Sequence, residues 1–179
     1  MLTQFKELMF RRRAAAEARP GKPVARPVNL GNAKSIVVLF PADAAADRKA
    51  IDKWSDGFRK QGTKVKLAGY FSQDVGETNF GFSAISTKQL NWFGAPHGSI
   101  VDEYRKLDCE ILLRLGPVDH RELDFLAATK AAQIKVGPYQ AGEDTPYHLQ
   151  FDAGQATSVK DQLAAIERIF SFTNANSTT

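Results

Sequence analysis

Acid–base chemistry is the activity that the residues after two predicted strands could perform. Asp119 and His120 follow a strand that ends near Arg114. Asp43 follows the first strand of the chain. A neighbouring carboxylate and imidazole can transfer protons, and an arginine can hold an anion. If the two strands are neighbours, these four side chains line a crevice at the carboxyl ends of the sheet, where such folds bind ligands. Alternatively, Asp119 caps the next helix, while His120 and Arg114 are solvated.

Most other catalytic and cofactor chemistries lack the residues that they require. The loop Pro41–Ala46 contains no glycine, so no dinucleotide pyrophosphate can approach its backbone closely. The glycines of Gly76–Gly81 are not followed by the lysine of a phosphate loop, and no Gly-x-Ser-x-Gly elbow occurs. Three separated histidines and a single cysteine, Cys109, make no metal motif and no internal disulfide. We therefore expect no cofactor, no metal and a non-catalytic protein, with a small enzyme as an alternative.

The positive charge of the chain is concentrated at its start. Residues 1–34 contain eight basic and two acidic side chains, a net charge of +6, and since the whole chain carries +4 the remaining residues carry −2. A basic segment attracts polyanions through its long-range field. The sequence therefore predicts an anion- or RNA-binding segment whose candidate residues are Lys6, Arg11, Arg12, Arg13, Arg19, Lys22 and Arg26.

Residues 1–28 form a basic leader that has two predicted parts. Residues 2–18 have helical spacing, with apolar side chains along one side at Leu2, Phe5, Leu8 and Met9. Three prolines between residues 19 and 27 then favour an extended arm. Because successive residues turn by about 100°, three consecutive arginines fan over about 200° of the helix and cannot all contact one surface.

Three kinds of partner suit this leader. RNA or a ribosomal surface would bind the cations of the helix and of the extended arm. An anionic membrane surface would take up the apolar side, including Phe10, with the basic side chains against the headgroups. In the third interpretation the apolar side packs on the domain's own sheet or on a second copy. We expect an RNA- or ribosome-binding adaptor first, although no DNA-binding motif and no known RNA-binding module is visible.

Two adjacent aromatic residues, Trp92 and Phe93, precede a glycine and a proline in a segment of weak regular pattern. If they are exposed, they could bind a partner or stack on a base. The alternative is that both close one end of the sheet, while Gly94 and Pro96 turn the chain. Both interpretations are open at the level of sequence.

The remaining residues alternate between strand and helix patterns. The apolar run Ser35–Phe40 is typical of a strand buried on both faces. Further strands are predicted over residues 64–71, 82–85, 109–115, 134–137 and 147–152, and helices over 47–60, 99–106, 123–132 and 159–172. This alternation predicts an α/β domain over residues 29–172, with a doubly wound, mostly parallel, Rossmann-like sheet of five to six strands. Residues 173–179 are predicted to be a polar tail.

No apolar run approaches the ~18–20 residues that a membrane-spanning helix needs. The first residues also do not resemble a signal peptide, because charges at Lys6 and Glu7 interrupt the apolar patch and the arginines follow it. We therefore expect a cytoplasmic location.

Four segments, taken in order, resemble a known family: Lys34–Phe40, Gly62–Val65, Leu90–Gly94 and Ala131–Tyr139. Over nearly its whole length the chain is similar to an uncharacterised family of about 170-residue proteins from Bacteroidota, a domain of unknown function. This resemblance implies no established activity and no catalytic residues. Residues 107–137 are also similar, at the level of fold, to the acceptor half of heptosyltransferase-like glycosyltransferases. That second resemblance implies a binding domain related to half of an enzyme.

Overall fold

The computed structural model describes residues 1–19, 21–23, 26–141 and 145–175. The strands are β1 (Ser35–Pro41), β2 (Lys64–Phe71), β3 (Ser83–Ser86), β4 (Ile111–Arg114), β5 (Ile134–Pro138) and β6 (Leu149–Phe151). The helices are α1 (Leu2–Glu17), α2 (Ala45–Lys60), α3 (Ser99–Lys106), α4 (Arg121–Thr129) and α5 (Val159–Ala175), and a 3₁₀ turn spans Thr87–Gln89.

The six strands form one parallel sheet in the order β3-β2-β1-β4-β5-β6. This arrangement confirms the predicted α/β, doubly wound, Rossmann-like fold, and the order reverses between β1 and β4. Val38 at the centre of β1 pairs with Leu67 on one side and with Leu113 on the other. The central strand is completely buried from Ile36 to Phe40, as its continuous apolar run indicates.

Helices cover both faces of the sheet. One core lies between the sheet and helices α2 and α5, and the other lies between the sheet and helices α3 and α4. Side chains along β1 alternate between the two, so that Val38 belongs to the first core and Val37 to the second. The central strand therefore contributes side chains to both cores.

Helix α1 packs on α4 through a third, small cluster of side chains. Phe10 is its only buried residue, and it lies with Ala95 and Phe125, while Ala14 and Phe93 pack partly against them. The predicted apolar side of the helix is not the side that packs, since the other large apolar residues of α1 remain outside this cluster. Phe10 is thus the residue of α1 that is buried against the domain.

Some element boundaries differ from those predicted. Helix α1 ends at Glu17, and β4 is shorter than the predicted strand because it spans only Ile111–Arg114. Helix α5 continues to Ala175, so part of the predicted tail is helical. Residues 176–179 of that tail, and Pro20, Val24 and Ala25 of the arm, lie outside the described residues.

Replacement of Gly116 by alanine is expected to destabilise the protein by about 2–3 kcal/mol. Gly116 follows β4 with a φ of 110°, which L side chains rarely adopt. A Cβ atom there would also lie 2.8 Å from Pro41 Cδ. Urea unfolding measures the effect. Gly57→Ala is the control, because a Cβ atom at that helical glycine would meet nothing within 4 Å, and alanine should stabilise the helix by up to about 1 kcal/mol. Equal effects at both positions would contradict the strain argument.

Candidate functional site

The carboxyl ends of β1 and β4 meet at the point where the strand order reverses. The two strands are neighbours, as the predicted crevice requires. Asp43 follows β1, and its carboxylate accepts a hydrogen bond from the backbone N–H of Ser72 at 3.1 Å. Asp119 and His120 follow β4 at the same edge of the sheet. The structure therefore brings these residues to one edge, but their partners differ from those expected.

His120 is paired with Glu122 and not with Asp119. Its Nδ1 lies 3.4 Å from Glu122 Oε2, and its ring meets Tyr70 edge-on with a centroid separation of 5.2 Å. Asp119 is exposed and makes no hydrogen bond or ion pair with any described residue. It also does not cap α4, since His120 is the N-cap residue and no side-chain cap bond is present. The acid–base candidate is therefore the His120–Glu122 pair.

Burial and neighbouring charges shift two pKa values beside this pair. Burial by itself would raise the pKa of Glu122, but the neighbouring His120 ring, with help from Arg121, holds that pKa below its ordinary value. Burial and the carboxylates of Glu122 and Asp43 raise the pKa of Tyr70 to about 12. At neutral pH the edge of the sheet therefore presents an ionised Glu122 and a protonated phenol.

Arg114 is completely buried and holds the loop that follows β4. Its guanidinium donates to the backbone carbonyls of Pro117, Val118 and His120, and it lies 3.0 Å from a carboxylate oxygen of Asp124. It has no exposed surface, so it is neither solvated nor open to an anion from the solvent. The two expectations for Arg114 are therefore replaced by a third role, which is to fix the loop at the crevice.

Asp124 is the partly buried carboxylate that neutralises Arg114. Tyr147 Oη donates to it at 2.5 Å and Gln140 Nε2 at 3.2 Å. Burial raises the pKa of Asp124 and outweighs the opposing effects of Arg114 and of these two donors. The network joins β4, α4 and the segment between β5 and β6.

A cavity of about 520 Å³ opens at this edge, bordered by the loop after β4, the start of α4 and Arg11 of the leader. The two arginines at the border of this cavity, Arg121 and Arg11, already form contacts within the protein. Arg121 lies 3.2 Å from Glu7 and donates to the Phe93 carbonyl, and Arg11 lies 3.0 Å from the same Glu7. A catalytic role for His120 or Asp119, with Asp43 opposite, stays a prediction.

The leader helix is attached to the body by the buried Phe10 and by two ion pairs, and Phe5 adds a stacking contact with Trp92. The rings of Phe10 and Phe125 have centroids 5.4 Å apart, and the guanidinium of Arg121 lies 3.9 Å from the centre of the Phe10 ring. Glu7 pairs with Arg121, and Glu17 pairs with Arg105 at 2.6 Å. Both acidic residues of the leader are therefore directed towards the body.

The described part of the arm runs along the body and is bonded to it through its backbone. The N–H of Arg19 donates to the Ala128 carbonyl at 3.0 Å, and the N–H of Lys22 donates to the Ala132 carbonyl at 2.9 Å. Lys135 Nζ, in turn, donates to the carbonyls of Arg19 and Ala128 at 3.0 and 3.2 Å. The arm is thus fixed against the end of α4.

The seven predicted anion-binding residues divide into two groups. Four form ion pairs within the protein, namely Arg11 with Glu7, Arg13 with Glu17, Lys22 with Asp108 and Arg26 with Glu110. The other three, Lys6, Arg12 and Arg19, have no acidic partner among the described residues. Only this second group is free to bind an external anion without first breaking an internal pair.

The outward side of α1 forms an apolar surface together with Trp92, which we call the leader surface. Its members are Leu2, Phe5, Leu8 and Trp92, exposed by 66%, 51%, 45% and 58% respectively, together with Arg12. Phe5 stacks on Trp92 with ring centroids 6.1 Å apart, so the helix and the loop are continuous. Arg12 lies on this side because it is four residues from Leu8 and seven from Phe5.

The two adjacent aromatic residues have different environments. Phe93 packs partly against the Phe10 cluster, whereas Trp92 is exposed and contacts Phe93 edge-on at 5.4 Å. Gly94, with a φ of 89°, turns the chain. Each of the two interpretations therefore applies to one residue: Phe93 is structural, and the binding role predicted for Trp92 stays open.

The stability of the protein is expected to depend on pH through Lys135. Burial lowers the pKa of this amine to about 8, from 10.5. Between pH 8 and 10 the unfolded chain binds a proton that the folded protein has released, so this group adds stability as the pH rises, by at most ~1.4 kcal/mol per pH unit. Urea unfolding at several pH values, compared with Lys135→Met, measures it. Between pH 8 and 10 the free energy of unfolding of the unchanged protein should rise relative to that of Lys135→Met. If the two free energies change with pH in parallel, the prediction is wrong.

Sequence reasoning misses several residues of these sites. Glu122 could be found from the sequence, because it lies two residues after His120 and could reach the same crevice. Phe10 lies five residues from Phe5, about 140° around the helix and outside the predicted apolar side, but no local pattern shows that this is the side that packs. Lys135 is predicted only as part of a strand, although a lysine between apolar residues in a predicted buried strand indicates a bonded amine.

Comparison with known proteins identifies a family for this chain. A model of the Family of unknown function (DUF6913) matches residues 6–166. No curated protein and no solved structure matches the chain. Among the described residues, none of the helices is long and apolar enough to cross a membrane, and His, Cys, Asp and Glu side chains nowhere group in threes or more as a metal site would require.

Proposed function

The chain belongs to this family of unknown function, and because its description assigns no activity, we propose from the geometry that the protein is a non-catalytic binding protein. Its leader surface and the cations beside it dock on a polyanionic partner. Lys6, Arg12 and Arg19 supply the charge, and Trp92 and Phe5 supply apolar contact. A cytoplasmic location is part of the same proposal.

One observation carries the proposal: both acids of the leader are turned towards the body. Glu7 pairs with Arg121 and Glu17 with Arg105, so neither offsets Arg12, which lies on the outward side of the helix. The helix is also held in place before any partner arrives, which reduces the entropy lost on binding. A fixed helix with cations and apolar groups on its outer side is suited to binding and offers no chemistry.

The proposal is tested by removing the three cations that have no acidic partner. We expect the variant Lys6→Gln/Arg12→Gln/Arg19→Gln to elute from immobilised heparin at much lower salt than the unchanged protein. Each cation near an anionic surface contributes about 1 kcal/mol, which is a factor of about five in affinity.

The matched control is Lys49→Gln/Lys53→Gln/Lys160→Gln. These three lysines are exposed on α2 and α5, on the opposite face of the sheet from α4 and the leader. This control removes the same charge from another surface and should change elution much less. Equal shifts for the two triple variants would mean that net charge alone determines binding, and would overturn the proposal.

A further inference from the structure

We propose that the polyanionic partner is the headgroup region of an anionic lipid bilayer, on which α1 lies parallel to the membrane plane. This inference rests on the proposed function and names its partner. Seven large hydrophobic residues are exposed in the described part of the chain, and five of them, Met1, Leu2, Phe5, Leu8 and Trp92, belong to or adjoin the leader surface.

Aliphatic side chains distinguish lipid from nucleic acid as the partner. Leu2 and Leu8 gain nothing from phosphate groups or from a stacked base, but they lose water contact when they enter the boundary between headgroups and acyl chains. Trp92 beside them has the amphipathic ring that is enriched at this depth of a membrane. RNA would instead use the cations of the arm, and Lys22 and Arg26 are already paired with Asp108 and Glu110.

The position of the charges also argues against a second copy of the chain on the same surface. The leader surface carries Arg12 and no outward-facing acid, because Glu7 and Glu17 bind the body. Two copies that met through this surface would bring like charges together without compensation. Anionic headgroups place negative charge at the level of Arg12 while the apolar side chains lie deeper.

The attachment of α1 to α4 determines which side of the protein would face the bilayer. Phe10 points inwards, to Phe125, so the opposite side of the helix is presented without any rearrangement. Helices α2 and α5 lie on the other face of the sheet and would point away from the lipid. The packing of α1 on α4 therefore determines the orientation of the protein on the bilayer.

The test is flotation of the full chain with vesicles. Two variants are compared with the unchanged protein, one with a phenylalanine exchanged on the leader surface and one with a phenylalanine exchanged on α5. The vesicles are made either of phosphatidylcholine alone or of phosphatidylcholine with phosphatidylglycerol. We expect binding to the anionic vesicles only, and a loss of about tenfold or more in Phe5→Ser, because half of that side chain is exposed for burial in lipid. Phe172→Ser is the matched control: Phe172 is 61% exposed, on α5, and its exchange should leave binding unchanged.

The other outcomes separate this inference from the proposed function. Binding of a short single-stranded RNA without vesicle binding, insensitive to Phe5→Ser, would overturn the lipid assignment and leave polyanion docking intact. A concentration-dependent dimer that Phe5→Ser abolishes, without flotation, would assign the surface to a second copy. Equal losses in Phe5→Ser and Phe172→Ser would indicate non-specific adhesion and overturn the inference. If neither vesicles nor RNA are bound, both proposals are wrong. Circular dichroism shows that each variant is folded.

Discussion

Exchange of Arg114 for methionine is expected to lower the free energy of unfolding by about 3–5 kcal/mol. The guanidinium is completely buried, and its removal leaves Asp124 without its counter-charge. Three loop carbonyls, of Pro117, Val118 and His120, also lose their donor. A partly buried charge without its partner, together with three carbonyls without their donor, costs more than the net gain from a typical hydrogen bond, so this exchange should have one of the largest effects in the molecule.

The dependence of this loss on pH identifies its cause. In Arg114→Met the partly buried Asp124 lacks its positive neighbour, so the pKa of that carboxyl rises further above its ordinary value. Protonation of Asp124 then removes the unpaired charge. The variant should therefore regain part of its stability as the pH falls from 7 towards 5, which urea unfolding at the two pH values measures. The second exchange Asp124→Leu, made in the same variant, should restore part of the loss at pH 7. A deficit that neither pH nor Asp124→Leu changes would contradict the ion-pair explanation.

Exchange of Phe10 for alanine is expected to release the leader helix while the sheet stays folded. Removal of a buried phenylalanine costs about 3 kcal/mol or more, which corresponds to a roughly hundredfold larger population of detached helix. Trypsin should then cleave after Arg11, Arg12 and Arg13 at a correspondingly higher rate, because cleavage follows the open population. Mass spectrometry of the fragments over time measures this rate.

The control for this experiment lies on the same helix. Phe5 is half exposed and belongs to the outward side, so Phe5→Ala should change the rate of cleavage by much less than Phe10→Ala. Global unfolding followed by tryptophan fluorescence should be similar in both variants. If both exchanges accelerated cleavage equally, the leader would be held by its whole apolar side, and Phe10 would not be the anchor.

The fold follows from short-range patterns, because burial on both faces of a parallel strand leaves a local signature. The run Ser35–Phe40 has no polar residue after its first position, and the structure buries all of it. Alternation of strands and helices then determines the class of sheet. The local patterns do not predict the order of the strands. The predicted crevice requires only that β1 and β4 are neighbours, and in the sheet they are.

The contacts of the sites depend on residues that are distant in sequence, so local patterns could not predict them. Arg114 is buried because Asp124 and Tyr147 provide its environment, and neither strand nor helix spacing links these three. The side of α1 that packs is the one on which Phe10 contacts Phe125, more than 100 positions further along the chain. Helical periodicity identifies the apolar side chains, but it does not show which of them packs against Phe125.

The central position of β1 has a consequence for the order of folding. Ile36 pairs with Val65, 29 residues away, and with Ile111, 75 residues away. Loop closure makes the second pairing costlier by about 0.8 kcal/mol, so β1 and β2 should associate before β4 joins them. The packing of Phe10 on Phe125 should form later still, since Phe125 lies 115 residues further along the chain. During synthesis the leader therefore leaves the ribosome early and packs on α4 late. Its apolar and basic side chains stay accessible while most of the domain is being synthesised.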